Sequence, residues 1–205
     1  MRRWAGLAAA LVAAMAVGRV ITDALPLDGA VDQPFVRTGT VGNAVDLSYA
    51  AVTADQPRVA RRIVGVQPVQ AAGRFLVVDL ELRATHESTF FGGVQVVDSK
   101  GRRYAPMDRG TSCSTTTTAP TGVRWYAMFC FDVPGSALAG AKVVVARGAY
   151  EVDGSDQRRD DLASIDLGID RAEADRLWSH DIAYKAQAPG FETIDTSPVS
   201  VEDGP

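Results

Sequence analysis

The sequence predicts an all-β protein, two sheets stacked face to face, on three observations. The first is the stretch GRFLVVDLELRAT, residues 73–85. Extended, it places Leu76, Val78, Leu80, Leu82 and Ala84 on one side and Phe75, Val77, Asp79, Glu81 and Arg83 on the other. Wound as a helix, it would put Leu76, Asp79, Leu80 and Arg83 on one half-charged face, so the strand is the better reading. The second is VRWYAMFCFDV, residues 123–133, where Val123, Trp125, Ala127, Phe129, Phe131 and Val133 share a face and Tyr126, Met128 and Cys130 lie opposite. The third is the recurrence of shorter extended runs between turn-forming residues, the pattern of a sandwich of about seven or eight strands. A dry face of four large aliphatics, each worth roughly 1.5–3 kcal/mol on burial, needs a second layer to cover it. The opposite face of residues 73–85 is expected to turn to water along its length, from Phe75 and Val77 to Asp79, Glu81 and Arg83.

In chain order, the N-terminus begins MRRWAGLAAALVAAMAVGRVIT, two Arg followed by an Ala-rich apolar run. Residues 1–22 read as an export segment, and two forms remain open. Ala14-Met15-Ala16 fits the small-x-small cleavage site of a signal peptide. Alternatively, the nineteen residues from Trp4 to Thr22 approach the roughly 20 needed to span a bilayer as an uncleaved anchor, the favoured form. The paired Arg keep the N-terminus in the cytoplasm and send the rest across. Residues 23–37, rich in Pro and Asp, read as a linker, and residues 38–168 as the sandwich.

Within the sandwich, residues 44–52 place Val45, Leu47 and Tyr49 on one side, and residues 58–66 form a less regular, Arg-interrupted strand. After the long strand come Val94 and Val96, then Asp98-Ser99-Lys100-Gly101, a tight turn with Asp at its start and Gly where a left-handed residue is needed. Arg102 to Pro106 return as the hairpin partner. Residues 111–122, TSCSTTTTAPTG, are a loop by composition. Pro134 ends the strand over 123–133; residues 141–147 and Ser164 to Leu167 supply the last strands. Residues 169–205 are read as a short helix and a mobile tail. Asp170 caps the helix over Arg171 to Ser179, with Glu173 three residues on, and the tail runs over 186–205.

The chain has 205 residues and a net charge of −4. Three of its 21 basic residues and none of its 25 acidic ones lie in the first nineteen, so the remainder carries 18 against 25, a net of −7. A surface of that sign is a poor match for phosphate backbones, and no nucleic-acid partner is expected. Cys113 and Cys130 are the only cysteines and enclose sixteen residues. In an exported chain they are expected to pair, and a loop of that size predicts about 3 kcal/mol of stabilisation. Because Cys130 lies opposite the apolar face of its strand, the bridge would tie the Thr-rich loop to the outer side of a sheet.

Residues that carry chemistry are few. His86 and His180 are the only histidines, and no Gly-x-Ser-x-Gly elbow accompanies them. His86 reads as a solvated residue at a strand end. The acids of EVDGSDQRRDD (Glu151, Asp153, Asp156, Asp160 and Asp161) lack calcium-loop spacing and enclose Arg158 and Arg159, so they read as a solvated linker. Gly92-Gly93 lacks the strand-to-helix setting of a phosphate loop. Phe90 and Phe91, at a strand connection, are the candidate contact patch, with folding onto the end of the core as the other reading. Arg58, Arg61 and Arg62 form a small basic group, and Thr115 to Thr118 are possible sugar acceptors. No catalytic residue, metal or cofactor is expected.

The stretches GRFLVVDLELRAT, VQVVDSKGRRYAP and WYAMFCFDVPGSALAGAKVVV together resemble the DUF4352-like immunoglobulin-fold modules of exported, notably actinobacterial, proteins. The shared pattern is a long hydrophobic strand, then Asp-x-x-Gly-x-x-Tyr (Asp98, Gly101, Tyr104), then Phe-x-Val-Pro (Phe131, Val133, Pro134). The resemblance covers about residues 34–147, and departs from the family where Thr85-His86 stand in place of the usual Asn. It implies an immunoglobulin-like sandwich and says little of function. The expectation is a non-catalytic module outside the cytoplasm, tethered to the membrane and contacting another envelope protein. A freely secreted ligand-binding or inhibitor domain is the alternative.

Overall fold

The computed structural model describes residues 14–15, 17–20, 34–65, 68–107, 113–149 and 160–199. The chain divides into two compact units, Met1–Gln33 and Pro34–Pro205. In the first, the described residues are helical; the rest of the export segment, and the linker as far as residue 33, lie outside the described residues. Among the described residues no helix is long and apolar enough to cross a membrane.

The second unit is built from strands β1 (Phe35–Thr40), β2 (Val45–Asp46), β3 (Ala50–Ala54), β4 (Arg58–Val64), β5 (Pro68–Ala84), β6 (Thr89–Gly92), β7 (Gln95–Val97) and β8 (Arg103–Tyr104). They are followed by β9 (Thr117–Ala119), β10 (Trp125–Val133), β11 (Lys142–Val145), β12 (Gly148–Ala149), β13 (Asp161–Asp166), helix α1 (Arg171–Ser179), β14 (Ala183–Lys185) and β15 (Pro198–Val199). One sheet has the order β1-β13-β11-β7-β8. The larger sheet is centred on β5. One edge of β5 is taken by β3 along residues 80–84 and by β4 along 68–77, and the other by β10 along 74–82. A small third sheet runs β12-β6-β9. The first strand therefore starts at Phe35, inside the stretch read as linker, because residues 35–40 pair with β13.

Register brings the apolar positions together. Leu80 lies between Ala54 and Ala127, Leu76 between Val59 and Phe131, and Leu82 between Val52 and Trp125. Val96, Val143, Val145, Ala163 and Ile165 of the other sheet complete this core, and Phe91 and Ala119 of the third sheet join it. Two sheets packed over one apolar interior make a β-sandwich, as the alternation predicted.

The outer face of β5 departs from expectation. Phe75 and Val77 are fully buried and Asp79 is only 2% exposed; from residue 75 onward this face reaches water only at Glu81 and Arg83. The reason is a second core on that face, made by Ala60, Ile63, Phe75, Val77, Met107, Cys113, Met128, Cys130, Tyr184 and Ala186. The C-terminal segment covers it. β14 runs parallel to β4, and β15 pairs with β14. Arg61 N–H donates to Ile182 (2.9 Å), and Ala186 N–H to Val64 (2.8 Å). Residues 186–199 are thus a docked strap and not the mobile tail expected; residues 200–205 lie outside the described residues.

Cys113 and Cys130 form a disulfide in this second core, with Cα atoms 5.8 Å apart. Beside it, Met107 N–H donates to Cys130 (2.8 Å) and Ser114 N–H to Met128 (2.7 Å). Further along, Tyr126 and Gly190 exchange both backbone bonds (2.8 and 2.9 Å). The outer edge of β10 is thereby closed by three separate pieces of chain.

The resembled motifs have local physical roles. Asp98 accepts from the N–H groups of Lys100 (2.8 Å) and Arg102 (2.9 Å), and Arg102 Nε donates to it at 2.6 Å. Gly101, at φ 78°, supplies the left-handed residue of this turn. Burial pushes the Asp98 carboxyl up, but these bonds to Arg102 and Lys100 outweigh it and hold it low. At Gly73 a Cβ would stand 2.3 Å from the carbonyl oxygen of Val133, so only glycine permits that approach. Asp132 accepts there from the N–H groups of Ala72 and Gly73, both at 3.0 Å. Helix α1 starts as predicted, Asp170 accepting from Glu173 N–H (2.8 Å), but the Glu173 side chain turns to Arg176 (2.7 Å) instead of completing a capping box.

Burial of both faces of β5 makes Val77→Asp as damaging as Leu80→Asp. Each should cost more than about 4 kcal/mol in denaturant unfolding. Glu81→Gln, which removes only an exposed contact with Arg124 at 3.3 Å, should stay within about 0.5 kcal/mol. A well-folded Val77→Asp protein would show that the outer face is wet.

Candidate contact surface

Two features of the strap bear on function: a buried ion pair beneath it and an aromatic surface where it meets Trp125 at the rim of the main core. Arg58 Nη2 binds Oδ2 of Asp79, with the two side chains 11% and 2% exposed. The ring of Tyr184, carried by β14, lies 4.5 Å from the Arg58 guanidinium carbon, a cation–π contact in a largely dry setting. Burial pushes the Asp79 carboxyl up to about 6, against the opposing pull of Arg58; the charge of Asp55 adds to the rise. Arg61 pairs with Asp181 at 3.5 Å, and Arg62 is half-buried on the same strand. Of the basic group read at Arg58, Arg61 and Arg62, Arg58 is therefore buried beneath Tyr184, and Arg61 is tied to the strap by an exposed ion pair.

The strap presents its aromatic side chain on a braced loop. The side-chain amide of Gln187 donates to the carbonyl of Asp195 (2.8 Å) and accepts from its N–H (3.0 Å), tying the loop's two ends. The paired bonds of Gly190 with Tyr126 fix its middle. Phe191, next to Gly190, is 66% exposed and stands edge-on to Trp125, with ring centroids 4.9 Å apart. Trp125 is itself oriented by its Nε1–H, which donates to Thr117 Oγ1 at 2.7 Å. Val123, also exposed, is two residues away in sequence. An open groove of about 450 Å³ lies alongside, lined by Gln187, Ala188, Gly190, Phe191, Glu192 and Ile194. Trp125 shares the inner face of β10 as the alternation predicts and is half-buried at the rim of the main core. Sequence reasoning missed this surface because it placed Phe191 in a mobile tail; the signal was a lone aromatic after Pro189-Gly190 in an otherwise polar segment.

The aromatic pair that was predicted is split by alternation. Phe91 is fully buried, its ring 6.2 Å from that of Tyr49, and takes no part in an exposed patch. Phe90 points the other way and is 44% exposed. His86 is exposed in the bend after β5, and His180 caps the end of α1. Gly93 exchanges backbone bonds with Ala146 (3.3 and 3.2 Å). Thr116 and Thr118 are exposed, whereas Thr117 is buried against Trp125.

In the acidic cluster, Glu151, Asp153 and Asp156 lie outside the described residues, but Asp160 and Asp161 are structural and not part of a solvated linker. Asp160 pairs with Arg147. Asp161 accepts from Ser48 N–H (2.7 Å) and Arg37 Nε (3.2 Å). Burial raises the Asp161 carboxyl, and these bonds more than offset that and keep it low. No group of three or more His, Cys, Asp or Glu among the described residues is arranged to hold a metal ion.

No known family and no curated protein matches the sequence. Three solved structures are similar to the chain. The yjhA protein of Bacillus subtilis is 12% identical over 62% of this chain and 99% of its own, with a TM-score of 0.46. MPT63, a secreted protein of Mycobacterium tuberculosis, is 14% identical over 64% and 98%, with a TM-score of 0.43. An uncharacterised β-sandwich protein of Clostridium difficile is 10% identical over 65% and 96%, with a TM-score of 0.39. The sandwich assignment rests on the strand pairings given above, not on these likenesses.

The Asp79 environment carries a pH dependence. An acid raised on folding binds its proton more readily folded than unfolded. Its contribution to stability is therefore full below its ordinary value near 3.8 and is lost as pH rises through about 6. Between about pH 4 and pH 7.5, the wild type should lose about 2–3 kcal/mol of unfolding free energy relative to Asp79→Asn. Denaturant titrations across that range measure it. A constant difference between the two proteins would mean that Asp79 is not held in a dry site.

Proposed function

We propose that this protein is a non-catalytic, immunoglobulin-like module of the bacterial cell envelope that makes protein–protein contacts on the far side of the cytoplasmic membrane. Its N-terminal segment exports it and serves as the tether. The observation that carries the contact role is Phe191, a large aromatic side chain held in solvent by a braced loop and backed by Trp125. Aromatic side chains fixed before binding lose little entropy when a partner closes over them, and they dominate interface energetics. The Cys113–Cys130 bridge supports the compartment, since such bonds persist in oxidising surroundings. The same bridge steadies β10, which carries Trp125. The partner is a protein with an apolar recess that receives the Phe191 ring.

A photoreactive amino acid in place of Phe191, in the full chain expressed in its own envelope, tests this. A discrete adduct in the membrane fraction is expected from position 191, and none from the exposed turn residue Lys100. Trp125→Ala should reduce the yield at least about tenfold, the loss expected of an interface aromatic. Equal labelling from both positions, or no adduct from either, would refute the contact role.

A further inference from the structure

Among the described residues, several sheet edges are covered by other segments and the terminal strands other than β1 are short. β10 is closed by the segments at 107, 114 and 190, and β4 by β14. The terminal strands β2, β8, β12 and β15 have two residues each, and β9 has three. β1 has six, and among the described residues it pairs with β13 alone. Phe35 N–H donates to Asp160 (2.8 Å) and Val41 N–H to Asp166 (3.2 Å). With the two-residue period of a parallel ladder, those bonds turn residues 35, 37, 39 and 41 toward β13. They direct the N–H and C=O groups of Val36 and Thr38 and the N–H of Thr40 outward, while the outward Thr40 carbonyl already accepts from Asn43 N–H (3.2 Å). Val36, Thr38 and Thr40 are exposed, and Phe35 is 62% exposed. Of the usual defences of an edge, residues 35–40, FVRTGT, carry one, the charge of Arg37, and no Pro, Lys or break in register.

We infer that β1 pairs antiparallel with β1 of a second copy of this chain, about a two-fold axis at Thr38. The sequence of the strand favours this occupant and this register. Centred on Thr38, the outward groups of Val36, Thr38 and Thr40 meet those of Thr40, Thr38 and Val36 of the second copy. The central Thr38 pair exchanges two hydrogen bonds, and in each flanking pair the Thr40 carbonyl shares its acceptor capacity with its own turn bond from Asn43 N–H (3.2 Å). In the close, non-hydrogen-bonded pairs between them, Phe35 meets Val41 and Arg37 meets Gly39. Apolar faces apolar, and the one charged side chain faces the residue with none, while its own Asp161 holds it at 3.2 Å.

A shift to pair Val36 with Thr38 would set Arg37 directly against Arg37, which is unfavourable. The opposite shift, pairing Thr38 with Thr40, would set Phe35 against Asn43 and Arg37 against Val41. The strand thus specifies a single self-complementary register. The join makes one continuous sheet of the two copies and walls the groove of about 520 Å³ beside β1, which Thr38, Thr40, Lys142, Ser164 and Asp166 help to line. Because little side-chain surface is buried, the association is expected in the micromolar range.

Sedimentation equilibrium of the full chain in detergent micelles, from low micromolar to near-millimolar concentration, reads the association directly. A dimer is expected. Thr38→Lys brings two like charges together at the axis and should weaken it at least about tenfold, or 1.4 kcal/mol, while the exposed position leaves the melting temperature unchanged. Thr38→Cys places two sulfurs within bridging reach, since hydrogen-bonded antiparallel pairs have Cα atoms about 5.5 Å apart. It should cross-link on mild oxidation where Lys100→Cys does not. A single-chain mass throughout, or a dimer indifferent to Thr38→Lys, would overturn the inference. Neither result touches the contact role of Phe191, which its own cross-linking decides.

Discussion

The structure is organised around a strand that must stay dry on both faces. β5 has partners along both edges, and its residues 75–80 are all at least nine-tenths buried. The inner face is ordinary sandwich interior. The outer face holds Asp79 among Phe75, Val77 and Met128, and an ionised acid there is costly unless paired. Arg58 supplies the charge, but it engages one carboxylate oxygen, and Oδ1 has no hydrogen-bond partner among the described residues. That incomplete compensation is why burial prevails over the guanidinium and the carboxyl sits high. Such a pair does little for net stability compared with an apolar substitute. Its evident structural consequence is to place a guanidinium where Tyr184 can close over it, so that the strap has one defined seat on β4.

The strap in turn determines what the molecule presents to solvent. By pairing with residues 62–64 of β4 and with Tyr126 of β10, it covers part of two edges of the large sheet. It also carries Phe191 to a fixed place beside Trp125. Helix α1, which precedes the strap, is held to the sandwich through Trp178. The Arg74 guanidinium carbon lies 5.4 Å from the Trp178 ring, and Arg74 Nη2 donates to the Trp178 carbonyl at 3.4 Å. The proposed contact surface therefore follows from the same requirement that dries β5. A chain that must fold its own C-terminus over its outer face gains a rigid platform from that segment. Among the described residues, the edge of β1, on the other sheet, receives no such cover.

Much of this was legible in the residues and some was not, for identifiable reasons. Alternation in 73–85 and 123–133 located the two central strands and the inner core, because a period of two leaves no freedom over which side chains share a face. The disulfide, the Asp98–Gly101 turn and the cap at Asp170 followed from local chemistry. The second core was misjudged because Asp79, Glu81 and Arg83 were taken together as a wet edge. The contrary signal was present in Phe75, Val77, Tyr126, Met128 and Cys130, which make the outer faces of both strands largely apolar. Long-range pairing is what local pattern does not encode: nothing in residues 181–199 announces β4 as their partner, and Pro, Gly and Ser there read as disorder. Phe90 and Phe91 were read as a unit, although adjacent residues of a strand point to opposite faces. Phe191 was hidden by the same misreading of its segment.

The most direct measurement of the central claim is native-state hydrogen exchange along the strap. The amides of Ala186 and Gly190, which donate to Val64 and Tyr126, should exchange only through global unfolding, with the same free energy as those of Val78 and Phe129. Exchange at Ala186 and Gly190 near the rate of an open chain, with Val78 still protected, would show that the strap is a loose tail and that β5 does not depend on it.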